Sequence, residues 1–127
     1  MLGDNDASTM IPAKDLEKTR RWYEDVLGFT PIIDDPNGIT YKSGSGTFNL
    51  YPTQFAGTAQ HTLIGWLVPD VEATVDELTA KGVSFEHYDM EGLKTDAKGI
   101  AHMGEKEKGA WFKDPEGNIL SLWQTAR

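Results

Sequence analysis

The chain predicts an α+β fold assembled from two βαβββ units, and three observations carry that expectation. Two helical stretches share one layout: a short apolar run, an aspartate, an apolar stripe and a closing glycine. Each is followed by three segments that alternate like strands. The second unit repeats the first at an offset of about 55 residues, the distance from Asp15 to Asp70.

In "STMIPAKDLEKTRRWYEDVLGF" Asp15 is the candidate N-cap, and Leu16, Tyr23, Val26 and Leu27 mark one helical face. Gly28 is the natural stop. The strand segments that follow are "FTPIID", "GITYKS" and "GTFNLYPT". The stretch "YPTQFAGTAQ", with Pro52 and Gly57, reads as a linker over about 52–60. It divides a single domain, 1–127, into module one at about 1–57 and module two at about 58–127. In "TLIGWLVPDVEATVDELTAKGV" Asp70 is the cap, Val71, Val75 and Leu78 form the stripe, and Gly82 ends the helix. "VSFEHYD", "GAWFKD" and "NILSLWQ" are its strands, the last entered through the turn "DPEGN". Residues 90 to 108, "MEGLKTDAKGIAHMGEKEK", lack periodicity and read as a solvated loop or a lid over a site.

Composition narrows the function classes. The fractions of hydrophobic (39%) and charged (25%) residues are those of a globular protein. No cysteine is present, which removes disulfides and thiolate chemistry. A formal net charge of −8 repels phosphate backbones and anionic lipid, so neither nucleic acid nor a membrane is an expected partner. The acidic start "MLGDNDAS" does not read as a signal peptide, and cytoplasmic residence is expected.

An amphipathic helix covers one sheet face, and that face should be apolar. Phe48 and Leu50, then Ile64, Trp66 and Val68, then Leu120 and Leu122 are assigned to it. The opposite face carries Thr47, Asn49 and Tyr51; His61, Leu63, Gly65 and Leu67; and Ile119, Ser121 and Trp123. That mixture of aromatic, aliphatic and hydrogen-bonding groups suits a ligand pocket. Tyr51 and Trp123 would stack on a planar ligand, while Asn49, Ser121 and His61 would fix its polar edge. Other patterns carry less. "SGSG" at 43–46 is a hairpin turn with no helix after it, unlike a phosphate loop. Trp22 and Tyr23 read as helix packing, and "EKEK" as a solvated charge run.

The paired units, with "DLEKTRRWYEDVLGF", "PDVEATVDELTAKGVSF" and "WFKDPEGNILSLWQ", resemble the vicinal oxygen chelate superfamily over nearly the whole chain. That group includes glyoxalase I, extradiol dioxygenases, fosfomycin-modifying enzymes and bleomycin-binding resistance proteins. The resemblance implies a curved mixed sheet, an incomplete barrel around a concave ligand cavity, and a homodimer. In metal-dependent members each half supplies two ligands, at positions matched here by Ser8, Asn49, Leu63 and Ser121. None is a histidine or a carboxylate, so no metal and no cofactor are expected. The spacing of His61, His87 and His102 matches no compact metal motif.

The expected function is metal-independent binding of a small molecule, a planar aromatic one among the candidates. The ligand-binding set is Asn49, Tyr51, His61, Leu63, His102, Ser121 and Trp123. Two alternatives stand beside it. One is an enzyme on the same cradle (a lyase, isomerase or hydrolase) with His61 or His102 as base or an atypical metal. The other is a regulatory module whose pocket is vestigial.

Overall fold

Both helices start and stop where aspartate and glycine place them. The side chain of Asp15 accepts the Lys18 N–H at the start of α1 (Leu16–Asp25), and that of Asp70 accepts the Ala73 N–H at the start of α2 (Val71–Ala80). Gly28 and Gly82 follow with φ of 80° and 95°, a left-handed conformation that ends the helical run. The computed structural model describes residues 1–125.

The first unit adds β1 (Thr9–Ala13), β2 (Pro31–Asp35), β3 (Gly38–Ser43) and β4 (Gly46–Pro52), ordered β1-β4-β3-β2 with β1 parallel to β4. The second contains β5 (Thr62–Leu67), a short hairpin of β6 (Asp89–Met90) and β7 (Leu93–Lys94), then β8 (Ile100–His102), β9 (Lys108–Lys113) and β10 (Ile119–Gln124). Its main sheet runs β5-β10-β9-β8, with β5 parallel to β10. The duplication expected from sequence is thus a duplication of topology, in two open mixed sheets rather than a closed barrel. No helix among the described residues is long and apolar enough to cross a membrane.

The helix-facing set is the buried one. Phe48, Leu50, Leu120 and Leu122 join Ile11, Tyr23, Val71, Val75 and Phe112 in one cluster, and Ile64, Trp66 and Val68 pack half-buried against it. Both units contribute to this single core. Phe29 meets Phe48 at 4.9 Å, and Trp66 lies 5.7 Å from Phe29 and 6.1 Å from Phe48 between ring centroids.

Module two departs from expectation at its outer edge. "VSFEHYD" does not form a full strand. Val83 and Phe85 turn inward, Phe85 bridges to Phe112, and the Glu86 N–H reaches the Trp111 carbonyl at 2.8 Å. The chain then leaves the sheet, folds the β6–β7 hairpin, and returns as β8 beside the first half of β9. Residues 87–99 therefore interrupt one edge strand, so the stretch 90–108 is neither a plain loop nor a detached lid. The hydrophobic pair Ile100–Ala101, buried to 0% and 2% exposure, is what pulls it back.

A buried polar knot ties the units together. The turn Asp114–Asn118 joins β9 to β10, and Asp114 Oδ1 accepts the N–H groups of Glu116 and Asn118. Its Oδ2 accepts the Tyr23 hydroxyl at 2.7 Å and the Asn118 amide at 2.9 Å. The same Asn118 amide donates to the Pro12 carbonyl at 2.8 Å, and its Oδ1 accepts the Gly57 N–H at 3.0 Å. Glu116 Oε2 accepts from the Asp15 N–H and the Thr19 hydroxyl. Gly57 has to be glycine, because a Cβ there would sit 2.2 Å from the Glu116 carbonyl oxygen.

Burial pushes the Asp114 carboxyl above its usual range even though four groups donate to it. Burial acts the same way on Glu116, but there the Asp15 and Lys14 N–H groups and the Thr19 hydroxyl outweigh it, leaving that carboxyl below its usual range.

Asn118→Ala strands the Pro12 carbonyl and the Gly57 N–H and should cost roughly 3 kcal/mol in a denaturant melt. A loss under half that would mean the knot is not what joins the units. Glu116 contributes through a depressed carboxyl, so its stabilisation is present at neutral pH and fades as pH falls below the ordinary glutamate range. The Tm gap between parent and Glu116→Gln should therefore close on acidification. A gap that stays constant from neutral to acid pH would refute this.

Candidate functional site

Strand parity leaves one face of each sheet free of helices. In the first unit Ser8, Met10, Thr40, Thr47, Asn49 and Tyr51 occupy it. The Asn49 amide donates to Ser8 Oγ at 2.8 Å, Thr40 donates to Asn49 Oδ1, and Ser8 Oγ lies 3.0 Å from Thr47 Oγ1. These groups satisfy one another, and Tyr51 stands half-buried beside them.

In the second unit Ser121 sits at the centre. Its cross-strand neighbours are Gly65 on β5 and Trp111 on β9. A Cβ on Gly65 would meet Ser121 Oγ at 2.7 Å and the Trp123 indole at 3.5 Å, so the missing side chain lets Trp123 lean over the backbone of β5. Gly109 does the same for Trp111, whose ring edge would be 3.4 Å from a Cβ there. Tyr88 meets Trp111 edge-on at 5.9 Å. Two indoles thus lie over two glycines with a hydroxyl between them. Trp111 was missed in reading the sequence, although the alternation of "GAWFKD" already puts Gly109 and Trp111 opposite the buried Ala110 and Phe112. A groove of about 400 Å³ runs where the two sheets meet, lined among others by Thr9 and Phe48 of the first and Gly65 and Trp66 of the second.

The remaining expected site residues are more scattered. Leu63 is the extra residue of a bulge, since Thr62 pairs with Ile119 and Ile64 with Leu120. His61 is exposed just before β5, with Nδ1 3.0 Å from the Thr62 carbonyl. His102 shares a side with Ile100, which is packed into the helix-covered core, and its Nε2 is 2.8 Å from Asp96 Oδ2. It is therefore turned away from Ser121. Hydrogen bonds with Asp96, outweighing its partial desolvation, hold that carboxyl below its usual range.

The donor set does not suit a divalent ion. Ser8 and Asn49 are bonded to each other, Leu63 has no donor, and Ser121 offers one neutral hydroxyl. Among the described residues no group of three His, Cys, Asp or Glu side chains could hold a metal.

Two βαβββ units sharing one core, each with an open sheet face, define a class of small duplicated α+β proteins. The chain belongs to the Glyoxalase/Bleomycin resistance protein/Dioxygenase superfamily, whose family model matches residues 7–122. Among solved structures it is similar to a bleomycin resistance determinant encoded on the transposon Tn5, with a TM-score of 0.71 and 18% identity over 97% of this chain and 99% of the other. A glyoxalase family protein from Enterococcus faecalis gives 0.70 and 20% over 97% and 99%. Lactoylglutathione lyase from Agrobacterium tumefaciens gives 0.64 and 17% over 94% and 92%. At these identities the likeness concerns the fold. No curated protein matches the chain.

Ser121 is half-buried on an open face, so Ser121→Glu should cost less than about 1 kcal/mol in a denaturant melt. A loss of several kcal/mol would mean that the carboxylate enters a sealed, dry interior.

Proposed function

We propose that the protein binds a small planar aromatic molecule on the open face of its second unit, and does so without a metal. The observation that carries this reading is the pair Trp111 and Trp123, each leaning over a glycine, with the Ser121 hydroxyl between them. Indoles held against a rigid sheet present flat apolar area at little entropic cost, and one hydroxyl fixes the orientation of what stacks there. Asn49 and Tyr51, on the open face of the first unit, are included in the proposed ligand surface. The Tn5-encoded neighbour is described as a bleomycin resistance determinant, which makes bleomycin the first probe to try.

Sequestration fits this site better than turnover. The histidine that has a carboxylate partner, His102, lies on the helix side, and His61 bonds only to backbone. Met10, Leu67 and Trp123 are 53%, 60% and 43% exposed on the open faces, and a homodimer that covers them is part of the proposal. The acidic, cysteine-free chain suits the cytoplasm.

Titration with bleomycin should quench indole fluorescence saturably. Trp123→Ala and Trp111→Ala should each weaken binding by on the order of 1–3 kcal/mol, Trp66→Phe should not, and EDTA should leave the Kd unchanged. Light scattering should give twice the 14.1 kDa chain mass. A Kd that EDTA raises and added metal restores would overturn the metal-free reading. Failure of bleomycin and other planar aromatic compounds to bind would overturn the ligand class.

A further inference from the structure

We infer that the notch over Gly65 is an acceptor site, in which the Ser121 hydroxyl and the Trp123 indole N–H together hold one oxygen of the ligand, so that the ligand is a cyclic aryl ketone or a quinone. This rests on the open-face reading above and assigns the polar group that its ligand carries.

The notch exists because residue 65 has no side chain. A Cβ at Gly65 would lie 2.7 Å from Ser121 Oγ, 3.5 Å from Trp123 Cδ1 and 3.6 Å from Trp123 Nε1. The hydroxyl and the N–H edge of the indole therefore border one small space. Gly65 is exposed and Trp123 is 43% exposed, so that space is open to solvent. A glycine inside a strand is the residue that lets a ligand approach the backbone closely. Neither Ser121 Oγ nor Trp123 Nε1 has a hydrogen-bond partner among the described residues. An indole N–H only donates, and a serine hydroxyl has a proton to give. One oxygen with two lone pairs satisfies both.

Charge decides which oxygen. Lys113, two positions along β9 from Trp111 and on the same face, is already paired with Glu86 at 3.3 Å. A carboxylate or phenolate in the notch would meet two neutral donors on a chain whose net charge is −8. A carbonyl oxygen makes both hydrogen bonds without that repulsion. The indole N–H lies in the plane of its ring, so a ligand whose oxygen accepts from it meets Trp123 at the edge. Trp111, the cross-strand neighbour of Ser121, is then the ring on which that ligand stacks.

The test compares 1-indanone with indane, the same ring system without the oxygen, in NMR titrations of the ¹⁵N-labelled full chain. Both should shift the indole N–H signals of Trp111 and Trp123, and 1-indanone should bind about tenfold more tightly. Ser121→Ala and Trp123→Phe should each cut that preference severalfold and leave indane nearly unchanged. Gly65→Ala, which fills the notch, should do the same, whereas Trp111→Ala should weaken both compounds alike. Equal affinity of the parent for the two compounds overturns the acceptor site and leaves the open-face reading standing. A preference that survives both Ser121→Ala and Trp123→Phe overturns it in the same way. If neither compound shifts Trp111 or Trp123, the open-face reading fails and the acceptor site fails with it.

Discussion

The Asn118 side chain is the constraint on which the rest of the molecule depends. Fully buried, it reaches the end of β1 through the Pro12 carbonyl, the linker through the Gly57 N–H, and its own turn through Asp114. Neither unit has a second layer of its own large enough to bury a whole sheet face. Each depends on aromatic side chains supplied by the other, as Trp22 against Phe112 and Trp66 against Phe29 and Phe48 show. Apolar contact of that kind is strong but weakly directional, so something must fix the register in which the halves meet. Polar groups in a dry place do this well, because a misplaced donor or acceptor loses its bond with no water to replace it. Tyr23 to Asp114, Thr19 to Glu116 and Asn118 to Pro12 together specify one position of α1 and β1 relative to β10.

That fixed register decides which surface remains open. Once Leu120 and Leu122 are committed to the shared core, the period of two along β10 leaves Ser121 and Trp123 nowhere else to point. β9 follows suit: burial of Ala110 and Phe112 turns Trp111 outward. The open aromatic face is therefore a by-product of core packing, refined by Gly65 and Gly109.

Local chemistry made most of the fold legible in the sequence. Asp15, Gly28, Asp70 and Gly82 mark helix ends through interactions within a few residues, and the alternation of Phe48, Leu50, Leu120 and Leu122 assigns faces without any knowledge of partners. What stayed hidden depends on contacts far apart along the chain. β8 is three residues long, and only its pairing with β9 distinguishes Ile100–Ala101 from the charged stretch around it. In the sequence His102 belongs to an apparently free loop, which makes it a candidate ligand contact. Pairing of Ile100 with Ala110 turns it to the other side. Trp111 is legible by the same rule, since alternation along β9 sets it opposite the buried Ala110 and Phe112. The roles of Gly65 and Gly109 could not be read at all, since a glycine in a strand announces that something approaches closely but not what.

The first unit shows how an open sheet face can be settled by neutral groups alone. Ser8 and Asn49 are joined at 2.8 Å and supported by Thr40 and Thr47. Neutral residues that bond along their own sheet need no partner from the second unit. In the second unit Ser121 asks for no counter-charge either, and Trp111 faces it across the strands. These positions support a stacking surface because their side chains aim outward from the open face. Strand parity supplies that aim, and the Asn118 knot keeps the parity in register.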